Sequence, residues 1–178
     1  THLVRKGLRS FASINVRSAE CLDTHYFAVL IGVGATTVNA YLAQEAIADR
    51  HARGLFGDRS LDDCVARYKK AVGDGLLKIM SKMGIAVISS YRGGYNFEAV
   101  GLSRALVADF FPGMPAKISG EGFASLHLNA MLRHARAFDE AALALPIGGL
   151  YRYRAGSETH AYQANLIHLL QSAVANDS

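Results

Sequence analysis

The longest amphipathic pattern in the chain runs from Ser60 to Met83 and predicts a helix. Ser60 is a favourable N-cap with Asp63 three residues later, and Gly84 is a typical helix end. Gly73 and Gly75 interrupt the helix, which indicates a kink or a close contact with another element. Apolar residues recur on one helical face at Leu61, Cys64, Val65, Tyr68, Val72, Leu76, Ile79, Met80 and Met83.

Five further helices are predicted from helical spacing and from capping residues. One of them follows from apolar residues between Val38 and Ile47 and ends at Gly54, and another is capped by Ser103 and ends before Pro112. The five predicted ranges are 38–53, 96–100, 103–111, 121–138 and 163–174.

Two strands are predicted. Residues 11–16 alternate imperfectly between apolar and polar, and residues 85–88 are β-branched at three of four positions. The long uncharged run 26–44 is interrupted by glycine and polar residues, so we interpret it as a core segment rather than a membrane span. Since helices outnumber strands, the expected fold is helix-rich α/β, and a chain of 178 residues is expected to form a single domain, 1–178.

Composition excludes a disordered chain and gives little support to nucleic-acid binding. Hydrophobic residues make up 51% and charged residues 19%, a globular balance. The net charge is +4, but no run of five basic residues occurs, so nucleic-acid binding is a third hypothesis that rests on charge alone. Cys21 and Cys64 are far apart, as expected for a reducing, cytoplasmic compartment. The chain opens on Thr1 without a leader sequence, and we expect it to be a piece of a longer polypeptide.

The polar residues around the predicted strand 85–88 are the candidate binding site. Lys82 and Arg92, with the backbone of Gly93 and Gly94, could hold a phosphate or a carboxylate. We favour a structural interpretation, because glycine after a helix and lysine in its last turn are ordinary C-terminal features. The segment matches neither common glycine-rich phosphate motif.

Other polar motifs are given structural interpretations. The GVGA run at 32–35 lacks the third glycine of a dinucleotide fingerprint and favours close packing. His127 and His134 share a helical face but lack a carboxylate partner at metal-ligand spacing. Glu158 and His160 could form an acid and base pair, yet no nucleophile lies nearby in sequence, so we interpret them as surface residues.

Three longer runs carry a resemblance to a known family. They are HYFAVLIGVGATTVNAYLA at 25–43, YKKAVGDGLLKIMSKMGIAVISSYRGGYNFEAVGLS at 68–103, and GLYRYRAGSETHAYQANLIHLLQ at 149–171. In order and spacing these runs resemble the large chain of glutamate synthase, in the later part of its central domain. Ala40, Gly94 and Tyr95 depart from residues that are common in that family.

The resemblance implies a connecting role within a larger enzyme. Such an enzyme makes two glutamates from glutamine and 2-oxoglutarate, with an amidotransferase domain, an ammonia tunnel and an FMN-binding barrel. Electrons come from NADPH through a small β subunit, or from ferredoxin, and pass through a 3Fe–4S cluster to FMN. In that family the central domain is similar to a partial barrel and is regarded as a connector. We therefore expect no catalytic, cofactor-binding or metal-binding residue here. We also expect neither a nucleic acid nor a membrane as partner. An anion-binding α/β module is the alternative.

Overall fold

The computed structural model describes residues 1–141, 144, 147–149, 152–157 and 159–176. It divides into two compact units, residues 1–126 and 127–178, and the expectation of a single domain over 1–178 stays a prediction. Helices predominate and are accompanied by short strands, so the expected helix-rich α/β class is confirmed.

The helices and strands have the following bounds. The helices are α1 His2–Arg5, α2 Thr24–Gly32, α3 Tyr41–Ala52, α4 Leu61–Lys82, α5 Ile88–Tyr91, α6 Arg104–Phe110, α7 Phe123–Ala137 and α8 Ala164–Ala175, with a 3-10 turn at Arg9–Phe11. The strands are β1 Asn15–Arg17, β2 Thr37–Asn39, β3 Val100–Leu102 and β4 Ile118–Glu121.

The strands form two parallel pairs, each bridged by a helix. In the first pair β1 and β2 flank α2, with Val16 opposite Val38. In the second pair β3 and β4 flank α6, and the register shifts between Val100 and Leu102. Parallel neighbours require a crossover connection, so unit 1 contains two small β–α–β arrangements.

The core of unit 1 consists of two buried clusters around α2, α3 and α4. The first contains Cys21, Ala40 and Ala43. The second contains Ala28, Met80 and Tyr91. The Tyr91 side chain is 1% exposed and meets the Phe97 ring edge-on at a centroid distance of 6.4 Å. The alanines among these residues let the helices approach closely, and Tyr91 and Met80 fill the second cluster.

Helix α4 confirms the strongest sequence prediction. Ser60 Oγ accepts a hydrogen bond from the Asp63 N–H at 3.2 Å, and Gly84 has a φ of +69° after the last turn. A Cβ at Gly75 would lie 2.6 Å from Thr24 Cγ2 on α2, whereas a Cβ at Gly73 would meet nothing within 4 Å. Gly75 therefore permits a close approach of α2 and α4, and Gly73 has no such role.

The predicted strand 85–88 is wrong. Val87 is extended, with φ −128° and ψ 138°, but Ile88 already begins α5. Within the described residues, the strand pairs are β1 with β2 and β3 with β4, so segment 85–88 has no neighbouring strand to share hydrogen bonds with. The β-branched run contributes to the core instead, since Ile85 packs against the second buried cluster.

Strand β1 and helix α3 begin later than the predicted strand 11–16 and the predicted helix 38–53. Arg9–Phe11 is a 3-10 turn and Phe11 is 86% exposed, so only Asn15–Arg17 of that region forms a strand. Val38 lies in β2 rather than in a helix, because the β-branched run around it pairs with β1. Helix α3 therefore starts at Tyr41 and ends before Gly54, which has the expected positive φ of +69°.

Two predictions near residue 100 also need correction, while the later helices are confirmed. Residues 96–100 are not helical, since the Ala99 N–H donates to Pro115 O at 2.8 Å and Val100 opens β3. Residues 118–121 form β4, so α7 begins at Phe123 rather than at 121. Helices α6 and α8 lie within one residue of their predicted ends.

The uncharged run 26–44 folds into α2, a turn, β2 and the start of α3. It contributes Ala28, Ala35, Ala40 and Ala43 to the buried residues of unit 1, as expected for a core segment. Over the described part of the chain, no helix is both long and apolar enough to cross a membrane.

Candidate functional site

The turn that follows α5 is fastened to the end of α2. The Gly93 N–H donates to Ile31 O at 3.2 Å and the Tyr95 N–H to Gly32 O at 3.4 Å. The last carbonyls of a helix lack partners within it, and this turn donates to two of them, of which Ile31 O also accepts from the Gly34 N–H at 2.9 Å. Gly93 has a φ of +74° and Tyr95 a φ of 47°, a strained value for a residue with a side chain. The hydrogen bonds to α2 hold the turn in this conformation.

Arg92 lies beside a cavity that we call the Arg9–Arg92 cavity. Its volume is 560 Å³, and its lining includes Arg9, Arg92, His2, Gly93 and Tyr95. The Arg9 guanidinium donates to Ala12 O at 2.7 Å and to Gly34 O at 2.9 Å. These two hydrogen bonds fix the Arg9 head on the cavity wall.

The described lining of this cavity contains two arginines. No Asp or Glu is among its described lining residues. Within the described residues, Arg92 Nε is the buried side-chain nitrogen or oxygen atom that lacks a hydrogen-bond partner. An unpaired buried polar group costs about 1–3 kcal/mol, and more when it is charged. The positive charges of Arg9 and Arg92, with no carboxylate among the described lining residues, favour a negatively charged group in this cavity.

Lys82 belongs to a different cavity. That cavity has a volume of 400 Å³ and its lining includes Lys78, Lys82, Asp23 and His25. Asp23 there accepts a hydrogen bond from the Tyr26 N–H at 3.0 Å as the N-cap of α2. The positive charge of the lysines is thus partly offset. The structure brings Arg92 together with Gly93 and Arg9, and it does not bring Lys82 to them.

The predicted backbone donors at the turn have partners within the chain. The Gly94 N–H donates to Tyr91 O at 3.2 Å, and the Gly93 N–H donates to Ile31 O. Side chains, rather than these two amides, are what the cavity offers to a ligand. Arg9 was missed by sequence reasoning because its place in the cavity depends on a hydrogen bond to Gly34 O, 25 residues later in the chain, and no local motif signals it.

The other motifs noted in the sequence have contacts that favour a structural role over a chemical one. A Cβ at Gly32 would clash with the Phe97 ring, which confirms close packing for the GVGA run. Burial, and then the charge of Asp23, raises the pKa of the Cys21 thiol, which makes it a poor nucleophile. His134 stacks against Phe138 at a centroid distance of 4.7 Å. Glu158 lies outside the described residues.

The described residues contain no group of three or more His, Cys, Asp or Glu side chains that could hold a metal ion. The whole sequence has two cysteines, Cys21 and Cys64. Two thiols cannot supply the three thiolate ligands of a 3Fe–4S cluster, so the residues of this region do not fit that group.

Fold and site together define a helix-rich α/β domain with a cationic cavity. A family model described as the glutamate synthase central domain matches residues 1–103, which is more than half of the chain. The chain therefore belongs to the glutamate synthase central domain family.

Curated relatives agree with this assignment over the whole chain. A glutamate synthase [NADPH] large chain of Azospirillum brasilense is 64% identical over 178 residues, all of this chain and 12% of that protein. The corresponding large chain of Bacillus subtilis is 40% identical over 97% of this chain and 11% of its own length. Ferredoxin-dependent glutamate synthase 2 of Synechocystis sp. is 38% identical over 98% of this chain and 12% of its own length. The chain thus spans about an eighth of these relatives.

Proposed function

We propose that this chain is a connecting scaffold within a glutamate synthase large chain, between its amidotransferase domain and its FMN-binding domain. The parent enzyme would make two glutamates from glutamine and 2-oxoglutarate with electrons from NADPH, through a small β subunit, or from ferredoxin. The observation that supports this role most directly is the set of exposed apolar residues on α7 and on α8, which we together call the α7/α8 apolar surface. It comprises Leu128, Met131 and Leu132 on α7 and Leu166, Ile167, Leu169, Leu170 and Val174 on α8.

The α7/α8 apolar surface is too apolar for helices that face water. Leu169 is 69% exposed and Val174 is 74% exposed. Helix α8 contains no Asp, Glu, Lys or Arg, and its leucines recur at helical spacing. A helix of this composition is normally covered by protein, and large exposed apolar surfaces mark interfaces.

We propose that the remainder of the large chain covers this surface. The most similar relatives described above are about eight times as long as this chain. The neighbouring domains of such a chain supply far more surface than two helices require. Apolar contacts of this kind hold adjoining domains at a fixed spacing, as a wall between an ammonia-releasing site and an ammonia-consuming site must.

Cofactor chemistry is assigned to the other domains of the parent enzyme. FMN and a 3Fe–4S cluster would supply electron transfer there, with NADPH or reduced ferredoxin as donor. This region would hold the two reaction domains in position and exclude water between them. We propose a cytoplasmic enzyme, consistent with the two free thiols at Cys21 and Cys64.

A substitution in the α7/α8 apolar surface of the full-length large chain tests the scaffold role. Leu169→Asp places a charge in the proposed interface, and Gln171→Asp places the same charge on an exposed polar position of the same helix. We expect Leu169→Asp to lower glutamine-dependent turnover more than ammonia-dependent turnover, because only the former needs ammonia transfer between domains. Equal turnover ratios for both variants and the wild type would contradict the role.

Lys82 is proposed as a second contact with a neighbouring domain. Its side chain is exposed at the end of α4, beside Lys78. Lys82→Glu in the full-length enzyme is expected to change the ratio of glutamine-dependent to ammonia-dependent turnover. If both rates stay at the wild-type level, Lys82 is not an interdomain contact.

The isolated chain offers a direct test of the connecting role. We expect the purified chain of 178 residues to bind no FMN and to make no glutamate from ammonia and 2-oxoglutarate. Flavin fluorescence measures FMN binding, and a glutamate assay measures product formation. Either activity in the isolated chain would overturn the assignment.

A further inference from the structure

We propose that the Arg9–Arg92 cavity binds an oxyanion, namely a carboxylate or a phosphate group. The inference concerns a ligand site and goes beyond the connecting role, on which it does not depend.

The state of Arg92 is the first reason. Its Nε is buried and, among the described residues, has no hydrogen-bond partner. A guanidinium presents its N–H groups in a planar fork that matches two oxygens of a carboxylate or phosphate. Arg92 lines the cavity and no acidic residue is among the described lining residues, so an anion in the cavity would offset a partly buried charge that the surrounding chain leaves without a carboxylate.

The second reason is the charge that Arg9 adds. Its guanidinium already donates to Ala12 O and Gly34 O. The positive charge is therefore fixed on the cavity wall, and binding an anion would cost little further side-chain entropy. His2 also lines the cavity, and no Asp or Glu does so among the described lining residues. Two cations beside a partly enclosed space raise the local concentration of anions.

The third reason is the shape of the site. A volume of 560 Å³ lies within the range of about 300–1,000 Å³ that is typical of small-ligand sites. Tyr95, which lines the cavity, holds a φ of 47°. Strained residues of this kind concentrate at ligand sites, where the surrounding structure enforces them.

The oxyanion has two possible sources with the same chemistry. It is either a free small anion or an Asp or Glu side chain from another part of the large chain. The two are separated by experiments on the full-length large chain. Arg50→Gln serves as control, because Arg50 is an exposed arginine on α3 and loses the same charge.

Amide exchange of residues 88–97, measured by mass spectrometry, tests the free anion. The Gly93 and Tyr95 amides report on the turn, since both donate to α2. Malonate and inorganic phosphate are added at constant ionic strength. At ten times the dissociation constant we expect exchange about tenfold slower in the wild type and in Arg50→Gln. Arg92→Gln is expected to show no anion effect.

Cross-linking tests the side-chain source. In the Arg92→Lys variant a carbodiimide joins the introduced amine to a carboxylate that touches it, and peptide mass spectrometry identifies the acid. Arg50→Lys is the control for surface reactivity. A cross-link specific to position 92, from an Asp or Glu outside this region, supports a side-chain ligand. The proposal is overturned if neither anion slows exchange in the wild type and no such cross-link forms.

Discussion

The two units of the molecule differ in where their apolar side chains lie. In unit 1 the buried apolar residues extend from Cys21 to Val107 and join α2, α3 and α4. In unit 2, no described residue from 127 to 176 is buried, although α8 is rich in leucine. Unit 1 therefore has a core of its own, and unit 2 has apolar helices that need another surface.

The difference has an energetic consequence. Helices shorter than about 12–15 residues are marginal in water without tertiary packing. Helix α4, with 22 residues, is supported by the clusters it joins. Helix α8, with 12 residues, presents its leucines to solvent. The stability of the isolated chain should thus come from unit 1.

The largest predicted effect is a core truncation in unit 1. Tyr91→Ala removes the largest fully buried side chain and should lower the free energy of unfolding by about 3–5 kcal/mol. Leu169→Ala in unit 2 should change it by about 0.5 kcal/mol or less. Urea unfolding of the isolated chain measures both. Comparable losses in the two variants would remove the distinction between the units.

A smaller effect is expected where α2 and α4 approach each other. Gly75→Ala pushes a methyl group against Thr24 and should cost about 1–3 kcal/mol. In Gly73→Ala, on the same helix, the added methyl group meets open space. This substitution should raise the free energy of unfolding by about 0.5–1 kcal/mol, because alanine has the higher helix propensity. The sign difference in urea unfolding is the decisive observation, and two changes of the same sign would be evidence against the close approach.

The two units also differ in helix capping, with a smaller expected effect on stability. Ser60→Ala removes the hydrogen bond to the Asp63 N–H and should cost about 1 kcal/mol of stability. Gln163, at the start of α8, makes no side-chain capping hydrogen bond. Gln163→Asp should therefore slow amide exchange in α8, because an acidic cap adds a bond acceptor and favours the helix dipole. Unchanged exchange would mean that capping does not limit α8.

Alkaline pH should weaken unit 1 gradually. Burial raises the pKa of Tyr91, and burial followed by the charges of Cys21 and Asp23 raises the pKa of Tyr68. Because the folded state favours the protonated phenol, this contribution is fully present below the usual pKa of about 10 and is lost as pH rises through the higher folded value. Tyr91→Phe should flatten the fall in stability above about pH 10. A slope equal to that of the wild type would exclude Tyr91 from this effect.

The sequence predicted those elements whose signals are local. Helix α4 carries its own cap, apolar stripe and terminal glycine, so its bounds could be read directly. Helices α6 and α8 were also predicted within one residue of their bounds, α6 from Ser103 as a cap. The family resemblance was confirmed because it rested on long runs rather than on single residues.

The sequence failed where structure depends on a distant neighbour. Residues 85–88 have strand propensity but no partner strand among the described residues, whereas Ile118–Glu121 forms a strand by pairing with β3 despite Gly120 within it and Gly122 after it. The candidate site shows the same limit. Arg92 was identified from its own segment, but Arg9 comes from the first turn and Lys82 faces a separate cavity. Charges close in sequence were separated by the fold, and charges far apart were brought together.

The central claim is that the rest of a glutamate synthase large chain covers the α7/α8 apolar surface. The most direct measurement compares amide exchange of α8, residues 164–175, in the isolated chain and in the full-length large chain. We expect markedly slower exchange of α8 in the full-length chain, with the exchange of α4 around Val72 little changed. Equal exchange of α8 in the two proteins would contradict it.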